Sequence, residues 1–263
     1  MTLKNYLLIF GLIVLTAFTS CKKDKEEDTP PAAGLDVPEI SVNATATGNI
    51  INVPQNAMYA NDGQFSNVVG SVNQIGNFLT ALNSVPDNAT VTSRSTNSTT
   101  MYNWTVTQGD VIVEYWYTII ENGSNYDLTY EFAYTSPDLT IARNIYISGS
   151  VAQDGKNGHL VFNYDAFTDG ETTFNYTYDW DTNTAGDLHI LAYWNIDDMD
   201  YTNMIYEATV YAVGGGVAEY RYSNLDNDSI VWHYEWNADW SIITWTYTVN
   251  GEEDENMSGE WTA

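Results

Sequence analysis

Asp179, Asp181 and Asn183 occupy alternate positions in Asp179-Trp180-Asp181-Thr182-Asn183, and Asp187 follows close behind. Oxygen ligands at positions one, three and five are how a calcium loop begins. Position six is Thr184, where an EF-hand needs Gly, and position twelve is Ile190, where it needs Glu, so the stretch is not an EF-hand. An oxygen-rich hairpin tip holding calcium is one reading, and plain turn chemistry is the other. No further cofactor is expected. The carboxylates Glu114, Glu131, Glu207, Glu219 and Glu235 fall in the middle of strand-like segments. Two of them would make a glycosidase pair only if they met at about 5–10 Å. His159, His189 and His233 lie on separate segments at no metal-ligand spacing, which reads as strand histidines with local hydrogen bonds.

Arg143 stands out among so many acids. It alternates with Ile141, Ile145 and Ile147, so a regular strand puts its guanidinium on an apolar face, where it must be paired. The partner is a Glu on a neighbouring strand or, on the functional reading, an anionic group of a ligand. Trp104, Trp116, Trp232 and Trp236 offer aromatic faces for an apolar guest or a sugar. The GxSxG, HExxH, GxxxxGK[ST] and GxGxxG signatures are all missing, so binding is expected ahead of catalysis. The 263 residues carry 35 acidic against 8 basic side chains, a formal charge of −27, which disfavours nucleic acid as a partner and favours solubility.

These residues need strands to place them. All nine Trp lie in 100–263, as do all the Tyr except Tyr6 and Tyr59. Segments of alternating pattern recur there at 100–107, 111–121, 126–135, 140–152, 159–166, 172–180, 188–196, 201–213, 217–223, 229–237, 240–250 and 257–262. Short turns such as Glu121-Asn122-Gly123, Asp154-Gly155 and Asn250-Gly251 join them, too short for crossover helices, so neighbours should pair antiparallel. The fold class expected is mainly β: a long antiparallel meander of about twelve strands, too many to stay flat, curled into a barrel or open barrel. Segment 201–213 is apolar on both sides, so both of its faces are expected to be covered. Ahead of the meander, Val68, Val72, Ile75, Phe78, Leu79 and Leu82 follow helical spacing. A helix at about 67–83, capped by Ser66 or Asn67, is expected to pack on or in the sheet, and the polar stretch 87–99 reads as a loop.

The N-terminal residues read as an address. Lys4 precedes an apolar run from Tyr6 to Phe18, the form of a signal peptide over 1–20. The run is short for a membrane-spanning helix, which needs about 20 apolar residues. Phe18-Thr19-Ser20-Cys21 resembles the lipobox of bacterial lipoproteins, with Phe18 where an aliphatic residue is usual. Lys22-Lys23-Asp24-Lys25-Glu26-Glu27-Asp28 resembles the surface-export run of Bacteroidota lipoproteins. That resemblance implies lipidation of Cys21, a membrane partner through the anchor, and a cell-surface location on the outer membrane. Residues 21–38 then form a tether, and 39–263 a single β-rich domain. Asp228-Ser229-Ile230 resembles a short O-glycosylation motif of the same envelopes, and a helix followed by a meander resembles the element order of lipoprotein carriers such as LolA. The function expected is a lipid-anchored binding protein holding a lipid or glycan in an aromatic-lined concavity. A structural or adhesive surface lipoprotein, and a glycoside hydrolase using the mid-strand carboxylates, are the alternatives.

Overall fold

The computed structural model describes residues 37–38, 40, 49–54, 63–83, 85–95, 99–163, 174–196 and 201–262. The signal and lipobox residues, Cys21 among them, lie outside these. After short pieces of chain at 37–38, 40 and 49–54, the first described element is a helix, α1 (Gly63–Ala81), and strands follow. They are β1 (Thr90–Ser95), β2 (Thr99–Gln108), β3 (Val111–Asn122), β4 (Asn125–Thr135), β5 (Thr140–Ala152), β6 (Asn157–Asn163) and β7 (Phe174–Thr182). Then come β8 (Leu188–Ile196), β9 (Tyr201–Val210), β10 (Gly216–Asn224), β11 (Ser229–Trp236), β12 (Ile242–Val249), β13 (Glu252–Glu253) and β14 (Gly259–Thr262).

All fourteen strands form one antiparallel sheet in chain order from β1 to β13, and β14 also pairs with β12. Among the described residues no pairing joins β1 to the far edge, so the sheet is an unclosed, curled meander. Two strands exceed the expectation. Residues 90–95 pair with β2 although 87–99 reads as loop; Thr90-Val91-Thr92-Ser93-Arg94-Ser95 lacks apolar alternation because it is an edge strand. The two-residue β13 is too short to leave a pattern. Segment 201–213 stops pairing at Val210 because Tyr211–Gly215 make a turn with Gly214 and Gly215 at positive φ. Tyr211 and Val213 are therefore exposed rather than covered.

Helix α1 starts a turn earlier than its sequence stripe suggests. Phe65 is buried and extends the Val68, Val72, Leu79 face backwards, which leaves Ser66 and Asn67 as exposed helix residues instead of caps. The helix rests against β9 and β10 on the inner face of the sheet. Phe65 meets Tyr234 with ring centroids 5.1 Å apart and Trp236 at 6.4 Å, and Ser71 hydrogen-bonds Tyr206. Two asparagines clip extended chain onto it. Asn73 accepts from the Ile51 amide at 2.7 Å and donates to its carbonyl at 2.8 Å; Asn83 does the same for Ile40, at 2.6 and 3.1 Å. Each side-chain amide thus satisfies both backbone groups of a buried isoleucine, as a neighbouring strand would.

The core is the inner face. Alternate residues of successive strands stack sideways into a path of rings: Trp104 on Tyr115 (5.2 Å), Phe132 to Tyr146 (5.5 Å), Tyr146 to Phe162 (5.8 Å), and Phe162 to Tyr178 (4.9 Å). It resumes with Trp194 to Tyr206 (4.8 Å) and Tyr206 to Tyr220 (4.5 Å). Such pairs add about 0.5–1.5 kcal/mol each beyond the area they bury, which is why aromatics suit every inward position.

Candidate functional site

The five residues proposed from sequence for ligand binding divide between two faces. Trp104, Trp232 and Trp236 point inward and are buried. Trp236 stacks on Trp240 at 5.5 Å beside Phe65 of the helix. Trp104 and Trp232 hold their indole N–H groups in the interior with no acceptor, and the Tyr117 hydroxyl does likewise. Trp104 and Tyr117 flank the same ring, Tyr130, at 5.8 and 5.9 Å, while Trp232 sits on β11 against Tyr247 at 4.5 Å. Burial raises the Tyr117 phenol well above its ordinary value, with Tyr102 adding to the effect, so it stays a donor. A buried donor left unpaired costs about 1–3 kcal/mol. Tyr117 escaped the sequence reading because one tyrosine among so many in alternating strands carries no distinguishing signal.

Trp116 and Arg143 stand on the outer face instead. The pairing of β4 with β5 slips at Tyr130/Glu131 and at Phe132/Tyr134, and each slip rotates the strand. As a result Tyr146 and Ile147 are both buried while Arg143 and Ile145 face solvent, so Arg143 does not share an apolar face with Ile147. Its side chain is 42% exposed. It donates from Nε to Glu131 Oε1 at 3.0 Å and from a terminal nitrogen to Oε2 at 2.6 Å, with the guanidinium 4.3 Å over the Trp116 ring. A fork-on-carboxylate pair stacked on indole is complete in itself.

The outer face also gathers all three histidines with the mid-strand carboxylates. His159 Nδ1 lies 2.7 Å from Asp179. Next to that pair, Asp181 and His189 (3.4 Å) begin a line that crosses five strands. His189 reaches Glu207 at 3.0 Å, Arg221 bridges Glu207 and Glu219, and His233 joins Glu219 (2.9 Å) to Glu235 (3.1 Å). Glu207, Glu219 and His233 are direct register partners, and Arg221, two residues along β10 from Glu219, reaches across to hold the two facing glutamates together. Glu131 belongs to Arg143, and Glu114 is exposed on β3. The band borders a shallow surface basin of about 420 Å³ lined by Ser150, Asn157, His159, Asp179, Asp181 and His189, among others.

For His233, partial burial disfavours the charged imidazole, but hydrogen bonds to Glu235 and Glu219 outweigh it and raise the pKa. A folded-state pKa above the unfolded one stabilises fully below the unfolded value of about 6.5 and is lost as pH rises through the folded one. His233→Gln should therefore cost more stability at pH 5.5 than at pH 8.5. Denaturant unfolding of both proteins at the two pH values checks this; a pH-independent difference would contradict it.

Of the residues proposed for calcium, Asp179 and Asp181 face histidines, and Asn183 and Asp187 build a turn. Asn183 Oδ1 accepts from the amides of Ala185 (2.9 Å) and Asp187 (3.0 Å), while its amide nitrogen donates to Asp187 Oδ2 at 2.9 Å. Asp187 Oδ1 takes the Ala212 amide of the next hairpin at 2.9 Å. That amide, with Asn183, holds the carboxyl below its usual range. Asn224 and Asp228 repeat the turn bond for bond. Among the described residues no group of three or more His, Cys, Asp or Glu is arranged to hold a metal ion.

Neither the family models, nor the curated proteins, nor the solved structures give a match to this chain. The geometry stands by itself.

Proposed function

We propose that this chain is a lipid-anchored cell-envelope protein, tethered through Cys21, that holds an amphipathic molecule against the inner face of its unclosed sheet. The observation that carries the reading is the presence of buried donors without acceptors on the inner face, Trp104, Tyr117 and Trp232 among them. A core that served packing alone would gain by phenylalanine at Tyr117, which keeps the ring and drops a buried O–H that only costs. An unclosed sheet also has a seam through which a guest can enter, and α1 is a separate element that can yield to it. The lipid form of the reading is favoured over the glycan form. Sugar platforms are exposed rings, whereas Trp104, Trp232 and Trp236 are buried and Trp116 is covered by Arg143. No helix among the described residues is long and apolar enough to cross a membrane, and in this reading attachment falls to the acyl chains.

One measurement tests both halves. The full chain is purified from membranes of a producing cell and weighed by native and by denaturing mass spectrometry. The denaturing mass should exceed that of the polypeptide from Cys21 onward by the acyl groups. The native mass should exceed the denaturing one by a guest. Equal native and denaturing masses would favour a structural surface lipoprotein, the reading supported by rings as buried as Tyr115 and Tyr234 with α1 already docked over the sheet.

A further inference from the structure

Three adjacent strands carry a serine, a histidine and an aspartate in one row on the outer face. Ser150 of β5 is the register partner of His159 on β6, which is in turn the register partner of Asp179 on β7. We propose that Ser150, His159 and Asp179 form a nucleophilic triad that hydrolyses small carboxylic esters in the basin beside them, independently of any guest on the inner face.

Nucleophilic catalysis by serine needs a base next to the hydroxyl and a third group that orients the base. Register alone supplies that order here. His159 Nδ1 lies 2.7 Å from a carboxylate oxygen of Asp179. A carboxylate only accepts, so the neutral ring carries its proton on Nδ1 and keeps a lone pair on Nε2. Strand β6 lies between β5 and β7, so turning Nδ1 toward β7 turns the opposite edge of the ring, with Nε2, toward β5. Ser150 stands there, directly opposite His159, at the Cβ separation of about 4.5–5.5 Å usual for such pairs. Among the described residues nothing hydrogen-bonds His159 Nε2 or the Ser150 hydroxyl. The other two histidines are not free in this way. His233 is held at both nitrogens by Glu219 and Glu235, and His189 lies between Asp181 and Glu207. A serine–histidine contact is often loose before substrate arrives and tightens in the complex.

The basin of about 420 Å³ gives a substrate somewhere to sit. Ala152, one pleat along β5 from Ser150, is a small residue paired with Asn125, and it leaves the depression open. Asn125 and Asn157 line it and carry amides that can donate to a carbonyl oxygen as charge builds on it. His159 and Asp179 are exposed and Ser150 is half-buried, so no part of the fold has to move for a substrate to reach them. Charge restricts which substrate. Asp127, held by Asn122, pairs with Ser150 from β4, while Asp179, Asp181 and Glu207 follow on the other side. Against them stands Lys156, exposed in the turn between β5 and β6, since Arg221 is already held by two glutamates. Such a surface repels an anionic ester and admits an uncharged or cationic one.

In the reaction, Ser150 Oγ bonds to the ester carbonyl carbon while its proton passes to His159 Nε2. The carbon–oxygen bond to the alcohol then breaks, and the departing oxygen takes that proton. Water attacks the acyl-serine with the same proton transfers, releasing a carboxylic acid and restoring the hydroxyl. Asp179 is the positioning residue, holding the ring in the useful tautomer.

The full chain is assayed for p-nitrophenolate release from p-nitrophenyl acetate, and separately treated with a fluorophosphonate whose site of attachment is read by mass spectrometry. Turnover and a label on Ser150 are expected. Ser150→Ala and His159→Gln should each lower the rate at least about a hundredfold and abolish the label, with the denaturant midpoint unchanged. Asp179→Asn should lower kcat and leave KM in place, and in the parent kcat should rise with pH as His159 loses its proton. A rate that survives Ser150→Ala would mean that an exposed histidine acts alone, and it overturns the triad. A label on another residue, or neither turnover nor label in the parent, overturns it as well. Faster cleavage of p-nitrophenyl hemisuccinate, an anionic ester, than of the acetate would overturn the substrate class.

Discussion

Tyr234→Ala is expected to lower the unfolding free energy by about 3–5 kcal/mol, the range for deleting a large buried aromatic. Tyr234 is fully buried in mid-β11, register-paired with Ala218 on one side and Trp245 on the other. Its ring lies parallel to Trp232 at 6.3 Å and takes Phe65 of the helix at 5.1 Å. The small Ala218 opposite cannot swell to fill the void, so the cavity term adds to the lost burial. The deletion also cuts a link between sheet and helix, so protection of α1 amides from hydrogen exchange should fall further than protection of β3 or β4. Denaturant unfolding gives the first quantity and hydrogen exchange the second. A loss below about 1 kcal/mol would mean that the helix is not held by this ring.

Gly149→Ala should be at least as damaging, for a different reason. Gly149 lies between Leu128 on β4 and Leu160 on β6, and an added Cβ would collide with the carbonyl oxygen of His159 and stand 2.8 Å from the Leu160 Cα. Both obstacles are backbone, so no side chain can turn aside. Either β5 and β6 part or the chain does not reach this fold, an expected loss of more than about 3 kcal/mol. Gly123→Ala is the control. Gly123 has φ +64° and open space around it, so alanine there meets only the left-handed backbone cost of about 1–2 kcal/mol. If the two substitutions cost the same, steric closeness of β5 and β6 is not what fixes glycine at 149.

The meander was readable because its evidence is local. Tyr126, Leu128, Tyr130, Phe132 and Tyr134 alternate with polar residues, and short turns leave only one way to pair neighbours. What escaped was whatever breaks period two or depends on a partner. A regular alternation puts Arg143 on the wrong face because the two register slips between β4 and β5 leave no mark in Ile141-Ala142-Arg143-Asn144-Ile145. The strand at 90–95 hid because an edge needs no apolar face. The outer band of His189, Glu207, Arg221, Glu219 and His233 is spread over four strands, so its members became neighbours only when the register was known. The Asn73 and Asn83 clips reach chain far away in sequence, and neither asparagine, one in the helix and one just past it, announces its partner. The unpaired donors could not be foreseen at all, since composition counts tryptophans and tyrosines without saying which of them lack an acceptor.

The pairing of each strand with its predecessor bears on how the chain acquires its shape. From β1 to β13 every partner is already at hand when the next strand arrives, so ordering can proceed strand by strand with only short loops to close. Helix α1 is the exception. Its partners Tyr206, Tyr234 and Trp236 lie near the other end of the chain, so the first of the described elements to be made is the last to find its place. Until then the aromatic face lies open and sticky, and the excess of 35 acidic over 8 basic side chains spread along the same polypeptide works to keep one half-formed molecule away from another.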